Sequence, residues 1–149
     1  MGQSLTAIYI HAVFRTKFSQ PFIDQKIEKD LHAYISGILR NIECTPLEIN
    51  SMPDHIHILF RQSKNFSISD IMQLVKKDSS KWMKRRGCKN FKWQTGYGAF
   101  SVSQRALDIV KKYVKNQKQN HKIRSHRKEI EEYMFQQNIE DYKEEYYWR

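Results

Sequence analysis

The stretch Ser51-Met-Pro-Asp-His-Ile-His-Ile-Leu-Phe60, "SMPDHIHILF", decides how the chain folds, because it reads as a turn feeding a strand. Met52-Pro53-Asp54 supplies the turn chemistry. From His55 onward the residues alternate, and on a strand side chains two positions apart point the same way. Ile56, Ile58 and Phe60 therefore form one apolar face that must meet a core. His55 and His57 share the opposite face, which is expected to be open. Their separation of about 7 Å along the strand is a span that one metal ion can bridge. Alone, His-x-His is a weak signal, since histidines on an open strand are more often plain surface residues.

Working outward, Leu47 and Ile49 alternate with Glu48 and Asn50 just upstream, and strands joined this closely must run antiparallel. Leu5 to Thr16 also alternates, with Ile8, Ile10, Ala12 and Phe14 on one face and Tyr9, His11, Val13 and Arg15 on the other. Between these strands Ile27, Leu31, Tyr34, Ile35, Ile38, Leu39 and Ile42 recur at helical spacing and predict a helix over residues 24–42. Downstream, Ser67 followed by Asp70 is a helix-start signal, and Ile68, Ile71, Met72, Val75, Trp82 and Met83 predict a second helix that Gly87 ends. A loop rich in glycine and aromatics leads to a strand at Ala99 to Ser103. Ser103 then caps a third helix, in which Ala106, Ile109, Val110, Tyr113, Val114 and Gln117 line one side, running to Gln119, and Ser125 caps a last one. The acidic, aromatic tail beyond is expected to pack against the body, because so many rings are costly to expose. The order β-α-β-β-α-β plus C-terminal helices predicts an α+β, ferredoxin-like (split β-α-β, RRM-like) fold, a four-stranded antiparallel sheet with helices on one face. No linker or repeat divides the 149 residues, so a single domain is expected, with a core over residues 5–120 and a C-terminal helix and tail over 124–149.

The net charge of +10 is unevenly spread. Residues 1–60 hold 5 Lys/Arg against 6 Asp/Glu, residues 61–128 hold 19 against 3, and residues 129–149 hold 2 against 7. A block that cationic favours phosphates, and the interleaved Trp82, Phe91, Trp93, Tyr97 and Phe100 suit single strands whose bases can stack. Lys76, Lys77, Lys81, Arg85 and Arg105 are the candidate DNA phosphate contacts. Trp93 and Tyr97 either stack on bases or hold their loop down. His11 is read as space-filling, and His121 and His126 as surface residues. The chain shows no apolar run of membrane-spanning length and no secretory signal pattern, so a cytoplasmic protein with no membrane partner is expected. Cys44 and Cys88 fit a reducing compartment and read as packing residues.

On the third helix Tyr113 and Gln117 are spaced i and i+4 and stack one above the other. Spacing alone makes Tyr113 a core ring and Gln117 a solvated end residue. Together, however, "MPDHIHILF", "WQTGYGAFSVS" and "KKYVKNQ" resemble, in order and spacing, the single-tyrosine HUH transposases of small insertion sequences that move as single-stranded DNA. The same motifs resemble those transposases' relatives associated with repetitive palindromic elements, and the likeness spans residues 5–137. The resemblance implies that His55, His57 and Gln117 bind Mg²⁺ or Mn²⁺ and that Tyr113 is the nucleophile. It further implies a DNA transposase that nicks and rejoins single-stranded DNA by transesterification through a 5′-phosphotyrosine, acting as a homodimer on hairpin-forming element ends. Asp54 stands where many relatives carry Asn; either suits the turn. Two other readings remain: a non-catalytic single-stranded nucleic-acid binding module, and a domesticated relative that processes host palindromic repeats.

Overall fold

A computed structural model describes residues 2–121 and 125–149. Arg124, the expected first residue of the C-terminal segment, lies outside them. Strands β1 (Tyr9–Arg15), β2 (Thr45–Met52), β3 (His55–Arg61) and β4 (Gly98–Val102) form one antiparallel sheet in the order β2-β3-β1-β4. Each helical crossover thus straddles one strand, which is the split β-α-β arrangement expected of a ferredoxin-like fold. The first strand is shorter than the alternation from Leu5 suggested, and β2 is longer. A register shift between Pro46 and Glu48 marks where proline, lacking an N–H, interrupts the ladder of this edge strand.

Helices α1 (Glu28–Asn41) and α2 (Ile68–Arg85) cover one face. Ile10, Ala12, Phe14, Ile56, Ile58 and Phe60 from the sheet pack there against Leu31, Ile35, Leu39, Ile71, Met72 and Val75. Fully burying each such side chain contributes roughly 1.5–3 kcal/mol. Ser67 caps α2, its Oγ accepting from the Asp70 amide at 3.1 Å. Gly87, at φ 105°, lies just past the helix end, where a left-handed turn suits glycine.

Most of the rings interleaved with the basic block turn out to be packing residues. Trp93 sits edge-on to both Phe14 and Phe91 at 4.7 Å, and its indole N–H donates to Ser79 Oγ at 2.9 Å. Trp82 stacks on Tyr34, Tyr97 packs partly buried against the α1/α2 core, and Phe100 is buried on the far side of the sheet. Base stacking is therefore not available to Phe91, Trp93 or Phe100.

The face that carries the histidines is covered, not open. Helix α3 (Leu107–Lys115), the single turn α4 (Gln117–Asn120), α5 (His126–Gln136) and α6 (Glu144–Tyr147) follow β4. Around α3, Val114 packs with Leu59 and Val102; α5 and the tail bring Ile130, Met134 and Trp148 onto Val13 and Phe100. His55 and His57 are each only 1% exposed. The reason is visible in β1 and β3: Val13 and Leu59 stand among the histidines, so this face also has apolar area to bury. Helix α3 turns its Ile109 outward at 72% exposure, although the spacing had put it on the inward stripe. The tail packs as expected, with Trp148 buried, its carbonyl accepting from the Arg15 guanidinium and the Tyr147 carbonyl from Gln94 Nε2 at 2.6 Å. Among the described residues no helix is long and apolar enough to cross a membrane.

Candidate metal and tyrosine site

The third helix does not run unbroken to Gln119. It stops at Lys115, and Asn116 (φ −97°, ψ 24°) separates it from α4. The Tyr113 carbonyl, released from the regular ladder, accepts instead from Gln117 Nε2 at 3.2 Å and Asn120 Nδ2 at 3.0 Å. Asn50 of β2 ties down this helix end by donating to the carbonyls of Val114 (3.0 Å) and Lys115 (2.8 Å). With its NH₂ turned to Tyr113, Gln117 presents Oε1 to His121 Nε2 at 3.0 Å and is fully buried.

Around that amide the fold gathers His55, His57, His121, His126 and Glu129, whose nearest nitrogen and oxygen atoms all lie within 4.8 Å of one another. Two partners orient the strand histidines. Asp54 Oδ1 lies 2.8 Å from His55 Nδ1, which leaves His55 Nε2 turned to the cluster, 3.0 Å from His121 Nε2. His11 Nε2 lies 2.8 Å from His57 Nδ1, and the Tyr133 hydroxyl lies 3.1 Å from His11 Nδ1. His57 Nε2 is thereby turned to Glu129 Oε1 at 3.2 Å. Carboxylate or polar partners behind an imidazole fix its tautomer and raise its basicity as a ligand.

Several enclosed atoms in this cluster have no hydrogen-bond partner: His57 Nε2, His126 Nδ1, both oxygens of Glu129 and the Tyr113 hydroxyl. Burial lowers the pKa of His55, of His57 and of His126, which favours the neutral imidazole that a metal ion requires of its ligands. Burial alone would raise the Glu129 pKa, but the adjacent His126 and His57 outweigh it and hold the carboxyl below the usual carboxylate range. An enclosed anion among neutral imidazoles, with orphaned lone pairs converging, is costly unless something positive joins it. A divalent cation fits this donor set.

Tyr113 projects from α3 into the same space, its ring 5.9 Å from that of His57 and 6.0 Å from those of His11 and Tyr133. Burial first, then the charge of Glu129, push its phenol well above its ordinary pKa. The structure thus brings together all four residues singled out for the site: His55, His57, Tyr113 and Gln117. It also draws in His121 and His126, which are not surface residues, and Glu129, Asp54 and His11, whose parts in the cluster the sequence reading missed. Local signals did exist, since Gln117 and His121 are spaced i, i+4 and His126 and Glu129 i, i+3, each pair on one helix face.

The basic candidates do not converge on this cluster. Lys76 Nζ donates to the carbonyls of Gln94 (2.6 Å), Thr95 (3.0 Å) and Gly96 (2.9 Å), and burial lowers its pKa to about 8. It holds the loop before β4. Lys77, Lys81 and Arg85 are exposed on α2, across the sheet from the histidines, and Arg105 is exposed in the 3-10 turn ahead of α3.

The model of the family described as "Transposase IS200 like" matches residues 4–117. The chain belongs to that family. Its coarse assignment follows: a DNA transposase. No curated protein matches the chain. Among solved structures, this family member is similar to a candidate transposase from Deinococcus radiodurans R1, with TM-score 0.64 and 18% identity over 78% of this chain and 96% of that one. It is also similar to a REP-associated tyrosine transposase bound to a REP hairpin, with TM-score 0.59 and 14% identity over 81% of this chain and 74% of that one. At such identities the two likenesses establish the shared fold.

Proposed function

We propose that this protein is a metal-dependent transposase that nicks and rejoins single-stranded DNA through Tyr113. The observation that carries the reading is the Tyr113 ring, 5.9 Å from His57 of its own chain, with its hydroxyl enclosed and unpartnered beside a cluster that fits a divalent cation. His55, His57 and Gln117 would hold that cation, Mg²⁺ or Mn²⁺. Once bound, it would grip a phosphate oxygen and offset the charge that grows in the transition state.

The chain's own residues do the rest. Asp54 and His11 hold the two strand imidazoles in position, and the contact of Gln117 Nε2 with the Tyr113 carbonyl couples the ligand helix to the nucleophile. The Tyr113 oxygen attacks phosphorus; a phosphotyrosine bond forms as the bond to the 3′ oxygen breaks. The proton given up by the phenol balances the one gained by the departing 3′ hydroxyl. Bond types are conserved, so rejoining is the reverse reaction and requires no nucleotide triphosphate. A phenol with an ordinary pKa of about 10 is already a weak nucleophile. Here burial and then Glu129 raise it further, so the phenol needs the charge of a bound cation to become an effective nucleophile.

The REP hairpin held by the similar tyrosine transposase supports a hairpin-forming single strand as the partner, with the exposed Lys77, Lys81, Arg85 and Arg105 available for backbone phosphates. The 149 residues act as one domain in this reading, and a homodimer remains part of it. The test is incubation with labelled single-stranded and hairpin oligonucleotides in Mg²⁺ or Mn²⁺. A covalent adduct that Tyr113→Phe abolishes supports transesterification; clean binding without adduct across many substrates would leave a binding module. Because Tyr113 already faces the histidines of its own chain, mixing His55→Ala and Tyr113→Phe chains is expected to restore no activity. Restored activity would mean sites assembled across the dimer.

A further inference from the structure

The family match ends at Gln117. Three of the five clustered metal-type donors, His121, His126 and Glu129, lie beyond it, and two of those sit on α5. We propose that α5 turns the two-histidine site into a closed transition-metal site, in which His121, His126 and Glu129 join His55 and His57 on one ion of the zinc or manganese class. In this form a DNA phosphate gains a place at the ion only when Glu129 leaves with its helix. The inference rests on the transesterase reading for the second part alone.

Three observations carry it. The Glu129 carboxylate is 0% exposed with both oxygens unpartnered, 3.2 Å from His57 Nε2 and 3.8 Å from His126 Nδ1. A merely structural glutamate buried that deeply would have donors at hydrogen-bond geometry. His55 Nε2 and His121 Nε2 approach to 3.0 Å, a hydrogen-bond distance at which loss of the intervening proton would leave two nitrogen lone pairs converging on one ion. The 4.8 Å limit on the whole set is close to twice a metal–nitrogen bond of about 2.1 Å.

The donor chemistry selects the ion. Four imidazoles and one carboxylate suit late first-row metals, whereas Mg²⁺ favours oxygen ligands and retains several waters. The donor count sets the state. Sites that carry out hydrolysis or transfer keep a coordination position open, while sites closed by protein ligands are structural. With five protein donors at hand a bound ion would belong to the second kind, and Glu129 would supply the anionic ligand in place of a phosphate. Metal binding should therefore fasten α5 to the sheet.

The experiment uses the full chain with ZnCl₂, MnCl₂ or MgCl₂ alone, reading metal bound per chain and hydrogen exchange across α5. Zn²⁺ and Mn²⁺ are expected to bind and to slow exchange in α5 about tenfold or more, with Mg²⁺ at the same concentration binding more weakly and leaving α5 exchange nearly unchanged. Glu129→Gln and His126→Ala should each weaken Zn²⁺ binding by at least the roughly 10–100-fold that loss of a partner behind a ligand costs. Variants that bind as tightly as the parent, an α5 indifferent to metal, or Mg²⁺ matching Zn²⁺ would overturn the proposal. The exchange measurement on the parent needs no variant to fold. If metal behaves as expected while no oligonucleotide forms an adduct, the transesterase reading fails and the closed metal site stands; adduct formation with unaffected metal binding in both variants is the converse.

Discussion

The two faces of the sheet follow opposite rules. Under α1 and α2 every inward residue of β1 and β3 is apolar, and the contacts there are complete. Under α3 and α5, the same two strands present His11, His55 and His57 among Val13 and Leu59, and several enclosed polar atoms lack partners. One face is a finished core; the other is a covered cluster whose buried polar atoms are not all satisfied. The comparison teaches that burial by itself does not distinguish core from site. The satisfaction of buried polar atoms does.

The largest way to probe this contrast is to damage the finished face. Phe60→Ala, on a side chain with 0% exposure, should lower unfolding stability by about 3–5 kcal/mol in denaturant titrations, through lost burial and the cavity left behind. Its metal response should be unchanged. The covered site should behave in the reverse way. At a metal concentration 100-fold above the dissociation constant the parent should gain about 2.7 kcal/mol of stability, a gain His57→Ala should forfeit. If both variants respond to metal alike, the two faces do not divide the labour as described.

A smaller effect lies at the seam, where His32 of α1 meets Ser51 of β2, His32 Nε2 lying 2.8 Å from Ser51 Oγ. Burial lowers the His32 pKa to about 4. The folded state therefore holds it neutral, and stability is complete above the unfolded pKa near 6.5. It falls as pH drops from about 6.5 to about 4, by about 2 kcal/mol after allowance for partial exposure. His32→Gln should flatten that segment of the stability–pH curve. An unchanged slope would remove His32 as its source.

Much of this was legible in the sequence, for reasons that differ by element. The alternation of "HIHILF" determined which side of β3 met the core, because a strand's period of two admits no compromise. The stripes of α1 and α2 and the Ser67 cap were equally local. What stayed hidden depended on contacts distant in sequence. Nothing near His55 announces that residues 126–136 cross over it, so the face looked open and His121 and His126 looked like surface. The helix break at Asn116 depends on Asn50, some 65 residues earlier in the chain, to receive the freed carbonyls. The rings of the basic block misled for the opposite reason. Trp93 and Phe91 carry the same apolar mass whether they stack on bases or on Phe14, and only the tertiary contacts decide.

The central claim concerns one oxygen atom. Tyr133 provides an internal rival, since its ring is 6.0 Å from that of Tyr113 and its hydroxyl lies against His11. The most direct measurement is mass spectrometry of the peptide left covalently joined to DNA after incubation with a hairpin oligonucleotide and Mn²⁺. The account predicts a single nucleotide-bearing tyrosine, Tyr113, with the adduct absent in Tyr113→Phe and retained in Tyr133→Phe. Attachment at Tyr133, or an adduct that persists in Tyr113→Phe, would contradict it.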